Sequence, residues 1–340
     1  MTTLMKTEAL DSPRVVEEQF SENQQIYDEV AQYLNQKNPY SLISIARGSS
    51  DHAAHYLNYL TTTKMGKLTT SLSMSAITLF KTEIDVSKSV GVAISQSGQS
   101  PDIIQPIDYI RSRQSPTIAM VNDINSPLAS AAEWMIPLHA GPEKAVAATK
   151  SFIASLTASA SLIAMWKNDL ELTRALHHLP DDLIKAQSLD WSIPIATLQD
   201  TKRIMIVGRG YGLALAQEAA LKLKETCGIQ AEAFSAAEIK HGPQALIEQG
   251  YPLLIFANRG PALHSMLDLA NEMKSRGANV FLAAPPFVRE KQLEIQTTHA
   301  EELDIVTAIQ SFYLMIEELS RSLGLNPDEP KHLLKVTKTI

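Results

Sequence analysis

The sequence predicts an α/β protein made of two tandem units, each a parallel five-stranded sheet flanked by helices. Short apolar runs alternate with helical patterns along most of the chain, the mark of βαβ crossovers. The chain also matches itself at a single offset of 162 residues. Ile45-Ala46-Arg47-Gly48 lies over Val207-Gly208-Arg209-Gly210, each after an apolar run and before an Ala/Leu-rich helix. Ser71-Leu72-Ser73 lies over Ala233-Phe234-Ser235, Ile94 to Gly98 over Phe256 to Gly260, and Pro116 to Val121 over Ala278 to Ala283. Registrations that share one offset without a gap point to a tandem duplication of one unit.

Taken in order, residues 17–34 read as a leading helix. Strands of the first unit are expected near 41–46, 67–73, 90–95, 116–121 and 134–138, where short apolar runs lie between helical stretches. Residues 154–166 are apolar but short and broken by Ser and Thr, so they predict a buried helix rather than a membrane span. Residues 179–194 read as the join. Strands of the second unit are expected near 203–208, 230–234, 252–257, 279–283 and 301–305. The organisation expected is a helical segment over 1–36, one unit over 37–185, the other over 186–325, and a Pro-broken tail over 326–340.

Bulk properties narrow the function. A chain of 340 residues has room for two cores, and 45% apolar with 20% charged residues is ordinary for a globular protein. A net charge of −7 argues against a nucleic-acid partner, although local dipoles and a few lysines still allow an anionic small molecule. Cys227 is the only cysteine, which excludes an intrachain disulfide and any multi-cysteine metal site. The first residues lack the basic and apolar regions of a signal peptide, so a cytoplasmic location is expected.

The segment richest in chemistry is Ser95-Gln96-Ser97-Gly98-Gln99-Ser100, after a buried-type strand and before Pro101 and Asp102, which suit a first helical turn. A loop there offers backbone N–H groups, the positive end of a helix dipole and several hydroxyls, the parts of a phosphate site. It lacks the Gly-Lys-Ser/Thr ending of a nucleotide P-loop, so a small phosphorylated metabolite suits it better than ATP. Hydroxyl capping of the next helix is the plain structural alternative, and it uses the same N–H groups. Gly208-Arg209-Gly210 begins a dinucleotide fingerprint, but its third glycine falls on Leu213 and the fingerprint fails. No metal cluster stands out, since His177-His178 has no carboxylate partners at useful spacing, and no cofactor is expected. The second copy has Ala257-Asn258-Arg259-Gly260-Pro261 where the first has its serines, and carries instead Lys222 and Glu225, then Lys240-His241-Gly242-Pro243. One copy is thus expected to hold phosphate and the other to supply chemistry.

Ser95-Gln96-Ser97-Gly98, Ala147-Ala148-Thr149-Lys150, Ala219 to Glu225 and Lys240-His241-Gly242-Pro243 together resemble the sugar isomerase (SIS) family. Within it they look most like the isomerase part of glucosamine-6-phosphate synthase and its stand-alone deaminase relatives. The tail Asp328-Glu329-Pro330-Lys331-His332-Leu333-Leu334-Lys335 is similar to that enzyme's C-terminal loop. The synthase draws ammonia from glutamine with an N-terminal cysteine in a separate domain, and no cysteine precedes Cys227 here. The resemblance therefore implies the reverse direction: glucosamine 6-phosphate and water to fructose 6-phosphate and ammonia, through an enolamine and without a metal.

The resemblance also implies roles. Glu225 matches the catalytic carboxylate that moves a proton between C2 and C1, and Lys222, on the same helical face, could stabilise the enolamine or the open-chain oxygen. By spacing alone such a pair is most often a solvated surface pair. His241 matches the group that opens the sugar ring, and in the family it comes from the partner subunit, which implies a homodimer. Spacing alone would make it a capping histidine at a helix end. Lys335 matches a closing-loop lysine that can form a Schiff base with the open-chain ketose, although Leu334 replaces a small residue and the family's terminal acidic residue is absent. Ser50, Ser95, Gln96, Ser97 and Ser100, the last in place of a usual threonine, would hold the phosphate, and Val146 and Thr149 would line the sugar.

The rival readings are a deglycase acting on sugar-phosphate adducts of amino acids, a galactosamine-6-phosphate deaminase, and a silent sugar-phosphate sensor. A DNA-binding sensor should carry a basic helix-turn-helix. The first 40 residues hold three basic side chains, Lys6, Arg14 and Lys37, against six or more acids.

Overall fold

The computed structural model, which describes residues 2–335, carries the repeat through element by element. The chain divides into two compact units. The N-terminal unit holds Arg14–Glu143, Lys150–His177 and residues 334–335, and the C-terminal unit holds residues 2–13, Lys144–Thr149 and His178–Leu333.

Helix α1 (Leu4–Leu10) belongs to the C-terminal unit. The single leading helix expected over 17–34 is two helices, α2 (Ser12–Glu22) and α3 (Gln24–Lys37), interrupted at Asn23. The Asn23 side chain bonds away from the helix: Nδ2 donates to the Pro137 carbonyl at 2.7 Å, and Oδ1 lies 3.0 Å from His139 Nε2. There follow β1 (Ser41–Ile45), α4 (Ser49–Met65), β2 (Leu68–Ser71), α5 (Met74–Thr78), β3 (Ser89–Ser95), α6 (Pro101–Ser112), β4 (Thr117–Val121), α7 (Pro127–Ala131) and β5 (Trp134–Pro137). The strands are parallel in the order β2-β1-β3-β4-β5. Central β3 is buried along its whole length, which is why its middle, Val90 to Ile94, carries no alternating polar residues. Helix α8 (Lys150–Lys167) is the buried helix expected over 154–166.

The stretch expected as a join is helical instead. Helix α9 (Leu170–Gln187) runs on through Pro180, because Leu172, Ala175, Leu176, Leu179, Leu183 and Ala186 form one buried stripe at helical spacing. Helix α10 (Ile193–Gln199) begins inside the same stretch.

The C-terminal unit repeats the plan with β6 (Arg203–Gly208), α11 (Tyr211–Cys227), β7 (Gln230–Ser235), α12 (Ala236–Ile239), β8 (Pro252–Phe256), α13 (Leu263–Ser275) and β9 (Asn279–Ala284). Its fifth strand is β10 (Leu293–Glu294), and the order is β10-β9-β8-β6-β7, all parallel. The strand expected at 301–305 is not there: Glu301–Leu303 is a 3₁₀ turn and Asp304 opens α14 (Asp304–Ser322). The alternation of acids with Leu303 and Ile305 resembles a strand. The deciding contact is long-range: buried Asp304 accepts from Arg259 Nε at 2.6 Å and Nη2 at 2.8 Å.

Helices α4 and α11 are each 17 residues long and start behind Gly48 and Gly210, with φ of +55° and +60°. Both end on left-handed glycines, Gly66 and Gly228. Each sheet has its topological switch point where the first and third strands of the unit meet, and ligands of such sheets bind beyond the carboxyl ends of the strands there.

Candidate active site

Strand β3 delivers Ser95 to the carboxyl rim of the N-terminal sheet, beside the end of β1. The loop that follows turns on Gly98, whose φ is +61°. A Cβ there would fall 2.1 Å from Ser126 Oγ, so only glycine fits. The Gly98 N–H donates to Ser95 Oγ at 3.0 Å. The Gly98 carbonyl accepts from the Leu128 N–H at 3.2 Å, and the Gln96 carbonyl from the Asp123 N–H at 3.3 Å. Ser95 is buried and braces the loop, while Gln96, Ser97 and Ser100 are half-buried at its surface.

Ser100 is the N-cap of α6, yet its hydroxyl makes no capping bond, so hydroxyl capping is not how this helix begins. Helix α4 likewise starts without a side-chain cap and holds half-buried Ser50 in its first turn. Because β1 and β3 are parallel neighbours, both helix N-termini meet the same rim at the switch point. Two positive helix ends, a glycine turn and the hydroxyls of Ser50, Ser97 and Ser100 are the parts from which an anion site can be built.

In the C-terminal unit, α11 carries Lys222 between two carboxylates. Its Nζ lies 2.6 Å from Glu225 Oε2 and 3.3 Å from Glu218 Oε1, and its side chain is 1% exposed. This is no solvated surface pair. Glu218 is fully buried and accepts from the Tyr313 hydroxyl of α14 at 3.1 Å. Burial alone would lower the pKa of Lys222, but the Glu218 and Glu225 carboxylates together hold it well above its ordinary value. One ammonium and two carboxylates leave a net negative charge. Glu225, 22% exposed, is the member that can meet a ligand.

His241 is exposed in the turn after α12, and its N–H donates to the Glu238 carbonyl at 2.9 Å. Gly242, with φ of +138°, and Pro243 then redirect the chain into a 3₁₀ turn, Pro243–Leu246. Among the described residues the His241 ring makes no hydrogen bond to Glu225. Lys335, in the N-terminal unit, is held by Glu143, with Nζ 3.1 Å from Oε2. The rest of the tail, residues 336–340, lies outside the described residues. Val146 and Thr149 belong to the C-terminal unit: Val146 is half-buried and donates its N–H to the Asp328 carbonyl at 3.0 Å, and Thr149 is fully buried.

Three participants escaped the sequence reading. Glu218 stands one turn before Lys222, and its i, i+4 spacing was a legible signal. Tyr313 is brought in by packing of α14 and had no signal. Glu143, its side chain buried and also accepting from the Ser151 N–H at 3.1 Å and hydroxyl at 2.6 Å, follows Gly141-Pro142 just before Val146, but only the fold brings it to Lys335. Among the described residues no three His, Cys, Asp or Glu side chains are gathered as a metal ion would require. No helix among them is long and apolar enough to cross a membrane.

Comparison with known proteins follows the same division. The family model described as SIS domain matches residues 33–165 and 197–316, one segment for each copy of the repeat. A glutamine–fructose-6-phosphate aminotransferase (isomerizing) from Sulfurisphaera tokodaii is 30% identical over 334 residues, covering 97% of this chain and 56% of that protein. The chain thus spans about half the length of the curated relatives it matches. A crystal structure from Silicibacter pomeroyi, provisionally named a phosphosugar isomerase, is 34% identical with a TM-score of 0.91, covering 96% of this chain and all of that one. A glucosamine-6-phosphate deaminase from Thermotoga maritima superposes with a TM-score of 0.77 at 20% identity, covering 99% of this chain and 100% of that chain, a likeness of fold alone.

Proposed function

The chain belongs to the SIS domain family, and from that premise we propose that it is a phosphosugar isomerase whose reaction is the deamination of glucosamine 6-phosphate. The observation that carries the reading is the buried Lys222 locked between Glu218 and Glu225, with only Glu225 open to a ligand. A carboxylate held in that way suits a base that must take a proton from C2 of the open-chain amino sugar and return it at C1. The product of that shift is a ketose imine, which water converts to fructose 6-phosphate and ammonia. Lys222 is too buried to lead the chemistry; it orients Glu225 and offsets its charge.

Other residues take supporting roles in this proposal. Ser50, Gln96, Ser97 and Ser100 bind the phosphate on the loop that Ser95 braces. Val146, half-buried, lines the sugar. His241, donated by a partner subunit in a homodimer, shuttles the proton that opens the ring, and its exposure in a turn fits that task. Lys335 closes over the substrate once it leaves Glu143. Within these 340 residues the only thiol is Cys227, which burial pushes up to about 12, so it cannot serve as a glutaminase nucleophile.

The test is incubation with glucosamine 6-phosphate in the presence of a chelator, following ammonia and ketose phosphate in parallel. Equal amounts of both support the proposal. Turnover of a fructosamine 6-phosphate adduct or of galactosamine 6-phosphate instead would move the substrate to those relatives. Binding of sugar phosphate without any turnover would make the chain a sensor.

A further inference from the structure

Arg47 has no part in the roles above, yet the structure fixes it at the rim of the serine loop. It is the residue before Gly48, where β1 turns into α4, and its Nε donates to Asp102 Oδ2 at 2.9 Å. Asp102 lies in the first turn of α6, two residues after Ser100, and is 1% exposed. Its Oδ1 is also buried and, among the described residues, has no hydrogen-bond partner. Burying a carboxylate with one oxygen unsatisfied is unfavourable, and the positive end of α6 offsets only part of that cost. The arrangement holds one thing in place, the guanidinium of Arg47. That side chain is 54% exposed, and among the described residues its two terminal NH₂ groups have no partner. An arginine tied through Nε keeps a planar pair of donors directed outward, the geometry that binds phosphate oxygens in pairs.

The repeat supplies an internal control. Arg209 is the counterpart of Arg47, in the same Arg-Gly turn, at the same strand end, before a helix of the same length. The counterpart of Asp102 is His264, whose side chain is 92% exposed, and Arg209 instead donates to Ser265 Oγ at 3.3 Å. The counterparts of Ser95 and Ser100 are Ala257 and Ala262, and that of Ser97 is Arg259, which is tied to Asp304. A brace needed by the fold would persist in both copies. At the Arg-Gly turn itself, the pin to a buried aspartate is found beside the hydroxyl-rich loop and not at its counterpart.

We propose that Arg47 is a phosphate-binding residue and Asp102 the positioning residue that presents it, so that the serine loop selects the dianion of a phosphate ester. The inference rests on the phosphosugar reading and adds a residue to it. Because the second phosphate pKa is about 6, affinity through this clamp falls as the pH drops below that value.

The experiment compares wild type with Arg47→Ala, Arg47→Lys and Asp102→Asn, using calorimetry with inorganic phosphate, steady-state kinetics with glucosamine 6-phosphate and thermal melting. Arg47→Ala should raise both the phosphate Kd and KM by about ten- to a hundredfold, as expected for charge-assisted hydrogen bonds, with the effect on KM rather than kcat. Asp102→Asn should raise KM less, and Arg47→Lys should recover only part of the loss because lysine cannot be pinned through Nε. Millimolar guanidinium should lower the KM of Arg47→Ala and leave wild type unchanged. Wild-type phosphate affinity in Arg47→Ala, or a fall in melting temperature that accounts for its whole defect, overturns the clamp alone. A wild type that binds neither phosphate nor the sugar phosphate overturns the clamp and the phosphosugar reading together.

Discussion

Replacing Lys222 by methionine removes the charge at the centre of the proposed site while keeping an unbranched side chain of similar length. At an effective dielectric constant of about 20, the ammonium gains roughly 6 kcal/mol from Glu225 at 2.6 Å and roughly 5 kcal/mol from Glu218 at 3.3 Å. Desolvation of a fully buried lysine cancels much of that gross attraction, so the intact triad contributes little net stability. Removing one partner is different, because both carboxylates lose the ammonium they share and Glu218 is fully buried. Broken buried pairs of this kind cost about 3–5 kcal/mol. For a cooperative unit of this size that is a fall in Tm of roughly 6–20 °C.

Calorimetric melting at pH 7.5 reads the loss directly. The pKa of Lys222 is raised by folding, so its contribution is complete below the unfolded lysine value of about 10.4 and declines only above it. The gap between wild type and Lys222→Met should therefore hold steady from neutral pH to about pH 10 as far as the lysine is concerned. Adding Glu218→Gln to Lys222→Met removes the stranded charge and should restore at least half of the lost Tm. Turnover should not return with it, because Glu225 still lacks the group that orients it. A single variant that melts within 2 °C of wild type, or a double variant that loses the sum of both single losses, would refute the buried-triad argument.

Three further outcomes follow from the geometry. Ser97→Ala should raise KM about tenfold with little change in kcat or Tm, whereas Ser95→Ala should lower Tm as well, because its hydroxyl accepts the Gly98 N–H; melting and kinetics on the two variants separate these roles. Gly98→Ala places a Cβ 2.1 Å from Ser126 Oγ at a φ of +61°, which should cost about 1–3 kcal/mol in denaturant melts and abolish phosphate binding. Folding raises the Cys227 thiol to about 12, so the unfolded chain loses this proton first and stability should fall as pH rises above about 8.5, at up to about 1.4 kcal/mol per pH unit. Cys227→Ser should flatten that slope, and native Cys227 should resist alkylation at pH 8.5 while the unfolded protein reacts.

The fold was legible because the repeat constrains it twice. Gly48 and Gly210, Gly66 and Gly228, and the paired apolar runs fix the same strand-turn-helix unit at one offset, and the structure follows them closely. What misled were elements decided by distant contacts. Residues 301–305 alternate like a strand, but the ion pair of Arg259 with Asp304 makes them a helix start. Residues 17–34 have a continuous helical pattern, and only the pairing of Asn23 with Pro137 and His139 explains the interruption. At the site, the serine loop and the Lys222–Glu225 pair were readable from spacing and family likeness. Burial was not, and burial turns a commonplace Lys–Glu pair into a fixed triad with Glu218 and Tyr313. The Arg47–Asp102 pin was likewise invisible, since its partners stand 55 positions apart and are brought together only by the packing of β1 beside β3.

Solvent-hydrogen exchange tests the central claim most directly. Glucosamine 6-phosphate is turned over in D₂O by wild type and by Glu225→Gln, and deuterium is followed at C2 of remaining substrate and C1 of product. Deuterium is expected at these carbons with wild type, and with Glu225→Gln a loss of both exchange and ammonia release of at least about a hundredfold while substrate binding stays within about threefold. Wild-type exchange and turnover in Glu225→Gln would contradict the claim, because the proton would then be moved by another group.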